Sequence, residues 1–371
     1  MYFQSNQVAK SRVRLANLKI PCAIWNNMEK MRAMVLEKCA AIETNPLKLK
    51  HIKKHEIKRP NEILLKIEAC GVCHSQLHGI EGDWQDIGIP PSLPTVPGHE
   101  IVGKVIQVGD NVTKFRVGDR AGITPLLEAC KKCQYCNEGK EYLCESSTIT
   151  GESFKGGYTE YITVVEDFAT KVPENMKPEY AAPLFCAGIT AYKAVKAAEP
   201  RSHKKIGIFG IGGVGHMAVQ FAKVENCDVI AFSRSEKHLK IAKRLGAVDT
   251  MMFLKDQKEF LDKLEEKHGL LDAAIVFAPA DIVTDTAIKS IKKGGLVVIA
   301  TVGERPAFMA FEEKTIRGTL IGSTKDMEQV IKICDEKNIE VVYQIFALED
   351  ANEALKKLKN SEIEARAVLI P

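Results

Sequence analysis

Between Ile206 and Thr301 short apolar runs alternate strictly with amphipathic ones, and a glycine-rich turn joins the first pair. Ile206–Gly210, Asp228–Phe232, Asp249–Phe253, Asp272–Phe277 and Leu296–Thr301 read as strands. Gly213–Glu225, Lys237–Leu245, Lys258–Lys267 and Ile282–Ile291 read as the helices between them. Repeated βα units predict an α/β fold with a parallel, doubly wound sheet. The turn Gly210-Ile211-Gly212-Gly213-Val214-Gly215 is G-x-G-x-x-G, placed after a strand and at the opening of a helix. In that context it is a dinucleotide fingerprint. The glycines permit the tight turn and let backbone N–H groups and the helix N-terminus approach a pyrophosphate.

An NAD-binding unit places an acid at the end of the second strand, on the ribose 2′-hydroxyl. Here that strand ends in Ser233-Arg234-Ser235. A guanidinium between two hydroxyls suits a 2′-phosphate, so NADP(H) is expected over NAD(H). Asp228 lies at the wrong end of the strand to compete. The alternative is that Arg234 points to solvent and Glu236 serves the ribose.

The chain before this repeat reads differently. Arg32–Leu36, Ile63–Glu68, Ile101–Val108, Phe115–Gly122, Tyr158–Val165 and Phe168–Val172 are short strand-like runs with turns between them. They predict a compact β-barrel-like domain over residues 31–181. Ala181–Ala198 carries helical spacing and opens the nucleotide-binding domain, residues 182–322. Met327–Asp335 and Leu348–Lys359 read as helices and Arg366–Ile370 as a strand. This tail, residues 323–371, is expected to return to the first domain. The lysine-rich run Lys48–Lys58 is a solvated strand edge or loop. The opening MYFQSN resembles a tag remnant, so Tyr2–Asn6 is set aside, residues 1–30 are treated as an extension, and a natural start is expected near Met28 or Met31.

Metal chemistry enters at Ala69–Trp84, where Cys73, His74, Ser75, His78 and Trp84 crowd together. A catalytic zinc takes three protein ligands and keeps one position open. Cys73, His99 and Cys186 supply two thiolates and one imidazole, which leaves the site neutral. His99 follows a glycine turn, Pro97-Gly98, and Glu100 follows it directly, placed to orient the site or to ligate transiently. A second group, Cys130, Cys133, Cys136 and Cys144, has the spacing C-x₂-C-x₂-C-x₇-C. Four thiolates from one loop close the shell and predict a structural zinc site. An iron–sulfur cluster also uses four cysteines and is the alternative. The chain has 11 cysteines, an odd number, and no secretory h-region, which argues against a disulfide scaffold and for a reducing compartment. Cys22, Cys39, Cys70, Cys227 and Cys334 are read as small buried hydrophobes. The net charge of +4 without a basic stripe gives no case for nucleic acid, and no apolar run reaches the ~18 residues of a membrane span.

Taken together, these residues resemble the zinc-dependent medium-chain alcohol dehydrogenases over Met31–Pro371. The shared features are GHE-x₂-G-x₅-G from Gly98 to Gly109, the four-cysteine loop, the late Cys186 and the GIGGVG turn. The segment CHSQLHGIEGDW is similar to the yeast and cinnamyl-alcohol-dehydrogenase-like branch. The resemblance implies a catalytic domain with a chaperonin-10-like β core, a Rossmann domain, and an active site in the cleft between them. It makes Cys73, His99 and Cys186 the catalytic zinc ligands, with Ser75 on the zinc-bound oxygen and His78 at the outer end of a proton relay. It implies that His74, Thr190 and Arg366 contact cofactor and that Trp84 walls the substrate pocket, which Ile87–Pro94 and the apolar tail residues are expected to shape. A homo-dimer or homo-tetramer follows from it, while two zinc ions per subunit are expected from the two ligand sets and a cytoplasmic location from the cysteine pattern. The implied activity is hydride exchange between a primary alcohol or aldehyde and NADP(H). Its alternatives are an NAD(H)-dependent alcohol or polyol dehydrogenase and a zinc-binding relative without activity. One departure stands out: Gln76 occupies a position where the family usually has Asp, which braces the zinc-bound histidine.

Overall fold

The computed structural model describes residues 30–85, 92–152, 155–302 and 310–371. The tag-like opening, Cys22 and residues 87–91 of the expected pocket wall lie outside the described residues. β1 (Lys30–Leu36) and β2 (Leu47–Lys53) form an antiparallel hairpin with Leu36 opposite Leu47. Along β2 only Leu47 is buried, so the lysine-rich run begins as a solvated strand edge. Lysines on such an edge discourage further pairing.

β3 (Glu62–Val72) is the spine of the first half. After it come α1 (His74–Glu81), β4 (Glu100–Val108), β5 (Arg120–Ile123) and the short pair β6 (Leu126–Glu128) and β7 (Thr148–Ile149). The latter two flank α2 (Gln134–Asn137) and are followed by β8 (Tyr161–Val165) and β9 (Ala169–Val172). The expected strand Phe115–Gly122 starts only at Arg120. Before it the chain turns at Gly118, with φ +96°, and the Asp119 carboxylate accepts from Arg116 N–H at 3.0 Å. The helix α1 was not expected; Gly82, at φ 85°, closes it by donating to the His78 carbonyl at 2.8 Å.

The helix expected over Ala181–Ala198 is broken. α3 (Pro178–Ala181) passes into a 3₁₀ turn, Ala182–Phe185, and α4 (Ala187–Ala197) starts afresh. Pro183 brings no N–H to this turn, and Cys186 sits at φ −131°, ψ −65°, outside helical values.

The expected alternation then appears in full. β10 (Lys205–Phe209), α5 (Gly215–Val224), β11 (Asp228–Ser233), α6 (Glu236–Leu245), β12 (Asp249–Met252) and α7 (Gln257–His268) come first. β13 (Leu271–Val276), α8 (Asp281–Ser290), β14 (Ile291–Ile299) and β15 (Thr315–Gly318) complete it. The sheet order is β12-β11-β10-β13-β14-β15, and every pair is parallel. This is the doubly wound order, in which a ligand binds where the order reverses, at the carboxyl ends of the strands. Phe209, Phe232 and Phe260 stack behind β10 and β11, with Phe209 and Phe232 ring centroids 4.4 Å apart. Burying each contributes about 2–3 kcal/mol and holds the strand ends that carry Gly210 and Ser233.

α9 (Thr324–Lys337) packs its Met327, Val330, Ile331 and Cys334 into the core shared with α4 and α5. The chain then runs to β16 (Tyr343–Ala347), α10 (Ala351–Lys359) and β17 (Arg366–Ile370). β17 lies between β16 and β3 in a sheet of order β16-β17-β3-β4-β5-β9, with β8 also on β3. Val368 sits opposite Gly71, and Gly71 opposite Glu100. That register brings the starts of β17 and β4 to the end of β3. No helix among the described residues is long and apolar enough to cross a membrane.

Candidate active site

β3 ends at Val72, and Cys73 becomes the N-cap of α1 with an extended backbone, φ −106° and ψ 146°. Its side chain makes no capping bond, so the thiol is free to face inward. The break at Cys186 delivers the second sulfur, and the two Sγ atoms stand 3.9 Å apart. Two sulfurs on one tetrahedral zinc, at ~2.3 Å each, would be about 3.8 Å apart. Ligand atoms of Cys73, His99, Glu100 and Cys186 all lie within 4.8 Å of one another. The donor set and its spacing fit zinc. His99, Glu100 and Cys186 are buried, and Cys73 is half-buried.

His99 is presented by a turn that only glycine can make. Gly98 has φ +102°, and a Cβ there would lie 2.5 Å from the Tyr158 ring. The turn is clamped from behind: Gly157 N–H donates to the Gly98 carbonyl at 2.8 Å and Tyr158 N–H to the Pro97 carbonyl at 2.9 Å. Gln76, also buried, fills the place from which the histidine is braced. Its Oε1 accepts from Gly98 N–H at 2.7 Å, and its Nε2 lies 2.8 Å from His99 Nδ1. Ser75 Oγ donates to Cys73 Sγ at 3.2 Å and lies 3.4 Å from His99 Nε2.

Glu100 is fully buried beside this group. One carboxylate oxygen is bonded to the Arg366 guanidinium; the other, Oε2, has no partner among the described residues. Burial pushes its carboxyl up to about 7, against the pull of Arg366. Gly71 makes the room, since a Cβ there would collide with Glu100 Oε2. An unpartnered buried carboxylate oxygen facing three metal donors is itself an argument for a cation.

The other sequence-predicted residues fall around this centre. Ser75 and His78 are one turn apart on α1. His78 Nδ1 is 2.7 Å from Asp83 Oδ2, and its ring stacks on Trp84 at 5.2 Å. His74 is exposed at the first turn of α1, and Thr190, half-buried, donates its N–H to the Cys186 carbonyl at 2.9 Å. In the glycine turn, Gly210 has φ +99°, and a Cβ on Gly215 would lie 2.0 Å from the Gly210 carbonyl. A Cβ on Gly213 would lie 2.7 Å from Arg366 Nη1, whereas one on Gly212 would meet nothing. The turn is thus closed on the protein side and open on the other, a cradle for a bound group. Val214 precedes α5 as its N-cap.

At the end of β11, Ser233 is buried, and its Oγ accepts from Ser235 N–H at 3.1 Å. Ser235 caps α6 through His238 N–H at 3.5 Å. Arg234 is exposed and makes no ion pair among the described residues. Glu236 pairs with Lys240 at 3.2 Å on the outer face of α6.

The four-cysteine loop also closes on itself. Ligand atoms of Cys130, Cys133, Cys136 and Cys144 lie within 4.8 Å of one another, with Cys130 and Cys136 sulfurs 3.9 Å apart. Cys133 N–H donates to Cys130 Sγ at 3.4 Å and Cys130 N–H to Cys144 Sγ at 3.5 Å. Backbone N–H groups of Lys132 and Cys133 pull the Cys130 thiol down to about 6. The neighbouring Lys131 and Lys140 turn instead to Asp167 and Glu138.

Residues 59–174 match the model of the alcohol dehydrogenase GroES-like domain, and residues 213–336 that of the zinc-binding dehydrogenases. An alcohol dehydrogenase of Geobacillus stearothermophilus is 36% identical over 344 residues, 91% of this chain and 99% of its own. This chain belongs to the zinc-type medium-chain alcohol dehydrogenases. It is an enzyme with a GroES-like β domain and a Rossmann-type domain. Among solved structures of the fold, acetophenone reductase from Geotrichum candidum, in complex with NAD, is 29% identical with a TM-score of 0.82, covering 92% of this chain and 98% of its own. CAD from Helicobacter pylori, complexed with NADP(H), is 25% identical with a TM-score of 0.81, covering 92% and 98%. Sequence reading of this dehydrogenase did not reach the glycines that clear space, Gly71 for Glu100 and Gly157, where a Cβ would lie 2.4 Å from Cys70 Sγ, nor the contact between Arg366 and Gly213. Only the three-dimensional approach of distant segments reveals them.

Proposed function

We propose that this alcohol dehydrogenase exchanges hydride between a primary alcohol or aldehyde and NADP(H), at a zinc held by Cys73, His99 and Cys186. The observation that carries the reading is the convergence of those three donors, His99 and Cys186 buried and Cys73 half-buried, at the strand ends where Arg366 reaches the glycine turn. A zinc bound there would polarise a substrate oxygen, and a bound nicotinamide would supply or accept the hydride. Ser75 Oγ, within reach of both Cys73 and His99, is the hydroxyl placed to exchange a proton with that oxygen. His78, one turn further out against Asp83, hands the proton to solvent. Trp84, stacked on His78, walls the outer side of the pocket. His74, Thr190 and the turn Gly210–Gly215 hold the nucleotide, with Arg366 beneath. Glu100 balances Arg366 and orients the metal site.

The preference for NADP(H) is supported by Arg234, a cation at the end of β11 with no ion pair among the described residues, and by the engagement of Glu236 with Lys240. The serines beside Arg234 are engaged with backbone, Ser233 on Ser235 N–H and Ser235 as the cap of α6, and add order rather than charge. Cys130, Cys133, Cys136 and Cys144 hold a second, structural zinc. We place the catalytic domain at residues 31–181 with the return 323–371, and the nucleotide domain at 182–322. A homo-dimer or homo-tetramer is carried over from the resemblance, and a cytoplasmic location from the cysteine pattern.

The test is absorbance at 340 nm with NADPH or NADH and a panel of aldehydes. Turnover should fall by at least about a thousandfold in His99→Ala, since zinc's contribution is several kcal/mol. Retained activity in that variant removes the zinc mechanism. Arg234→Ala should raise KM for NADPH about tenfold or more while leaving NADH nearly unchanged, from loss of a charged hydrogen bond. An equal effect on both cofactors removes the 2′-phosphate assignment.

A further inference from the structure

His216 belongs to none of the groups described so far. It is the second residue of α5 and is 1% exposed. Its Nδ1 lies 3.0 Å from the Gly212 carbonyl oxygen. A carbonyl can only accept, so Nδ1 carries the proton. Burial holds the ring down to about 4, so it is neutral near pH 7 and Nε2 keeps a free lone pair. That lone pair accepts from the backbone N–H of Val342 at 3.4 Å. One helical turn on, the Gln220 amide accepts from Glu340 N–H at 2.7 Å and donates to the Glu340 carbonyl at 2.8 Å. Residues four apart share a helix face. The stretch Glu340–Val342, which leads from α9 to β16, is therefore bonded to α5 much as a strand is bonded to its neighbour.

The same stretch leads to the metal site. The Val342 carbonyl accepts from Arg366 N–H at 3.1 Å. The Arg366 guanidinium bonds Glu100 and lies against Gly213. The path closes on itself: Gly212, His216, Val342, Arg366, Gly213. An apolar side chain would fill the volume of His216 but leave the Val342 N–H without its partner.

We propose that His216 is a positioning residue that ties the glycine turn to the crossing at 340–342, and so keeps bound nucleotide in register with Arg366 and the metal ligands. The proposal rests on the turn being the nucleotide site. Two ring nitrogens do two jobs, Nδ1 on the glycine turn and Nε2 on the crossing. The effect on nucleotide runs through backbone and Arg366, not through contact with the nucleotide itself.

The test is a fluorescence titration with NADPH on wild type, His216→Asn, His216→Gln, Arg366→Lys and the His216→Asn/Arg366→Lys double variant. Asn keeps a donor near the Gly212 carbonyl but does not reach Val342; Gln places an acceptor near the position of Nε2. His216→Asn should weaken NADPH binding by about fivefold and raise its KM more than it lowers kcat, as loss of one buried hydrogen bond implies. His216→Gln should recover most of that loss. In the Arg366→Lys background the Asn substitution should add little, because linked residues are not additive. Wild-type affinity in His216→Asn, or full additivity in the double variant, overturns the proposal. A wild type that binds neither NADPH nor NADH removes the nucleotide reading of the turn, and this proposal with it. If His216→Asn fails to fold, Gln220→Met frees Glu340 from α5 without touching the turn. The same cycle with Arg366→Lys then decides.

Discussion

Gln76 concentrates the chemistry of the site in one side chain. A carboxylate in its place would accept from Gly98 N–H and from a protonated His99 Nδ1 together. An amide has one oxygen, and here that oxygen is taken by Gly98 N–H. Its NH₂ group is left to face His99 Nδ1. A histidine that ligates through Nε2 keeps its proton on Nδ1, so two donors then meet. Gln76→Asp relieves that conflict. The expected outcome is a catalytic metal held about tenfold more tightly, read by competition with a chromogenic chelator. Equal metal affinity in the two proteins would show that the amide turns over on loading and serves as well. The substitution itself was legible in the sequence, because the residue type is polar and neutral where an acid is usual. The bond from Gly98 was not, since it depends on the path of a turn more than twenty residues away.

At the scale of elements, periodicity carried far. The alternation from β10 to β14 was readable because a buried parallel strand must be a continuous apolar run and its helix must be striped. The break in the helix around Cys186 was not readable. Its residues keep helical apolar spacing throughout, and only Pro183 hints that the bonding pattern fails. The strands β15 and β16 also escaped notice: Thr315–Gly318 and Tyr343–Ala347 are partly exposed edge strands, where the hydrophobic pattern is weak. The loop between β6 and β7 is an element of another kind. Its one α-helix, α2, buries no residue, so a metal held by the four thiolates would supply much of its order. Cys133→Ser should lower the melting temperature and release one of two zinc ions, while kcat of the remaining folded enzyme stays within about twofold. Elemental analysis beside calorimetry checks this; a variant that keeps both ions and its stability would remove the structural role.

On the scale of the whole molecule, one arginine stands where the two sheets approach each other. Arg366 opens β17 in the mixed sheet and touches the glycine turn of the parallel one. A nucleotide lodged on that turn therefore contacts both halves, and its binding energy should add to the stability of the whole. At about 100 times its dissociation constant NADPH should contribute about 2.7 kcal/mol, which for a chain of this size is a rise of about 3 °C in melting temperature. NADH at the same concentration should give less. Equal shifts would count against Arg234 as the discriminator, and no shift with either against the cleft as their site.

The place of β17 has a consequence for biosynthesis. Val368 pairs with Gly71, its neighbour in space but made nearly three hundred residues earlier. A ribosome adding roughly 5–20 residues per second leaves β3 waiting about 15–60 s for that partner. During that interval the apolar stretch ending in Cys70 and Val72 presents an open edge to other nascent chains. Chaperone capture of this enzyme should therefore peak late in translation and end when the tail clears the exit tunnel.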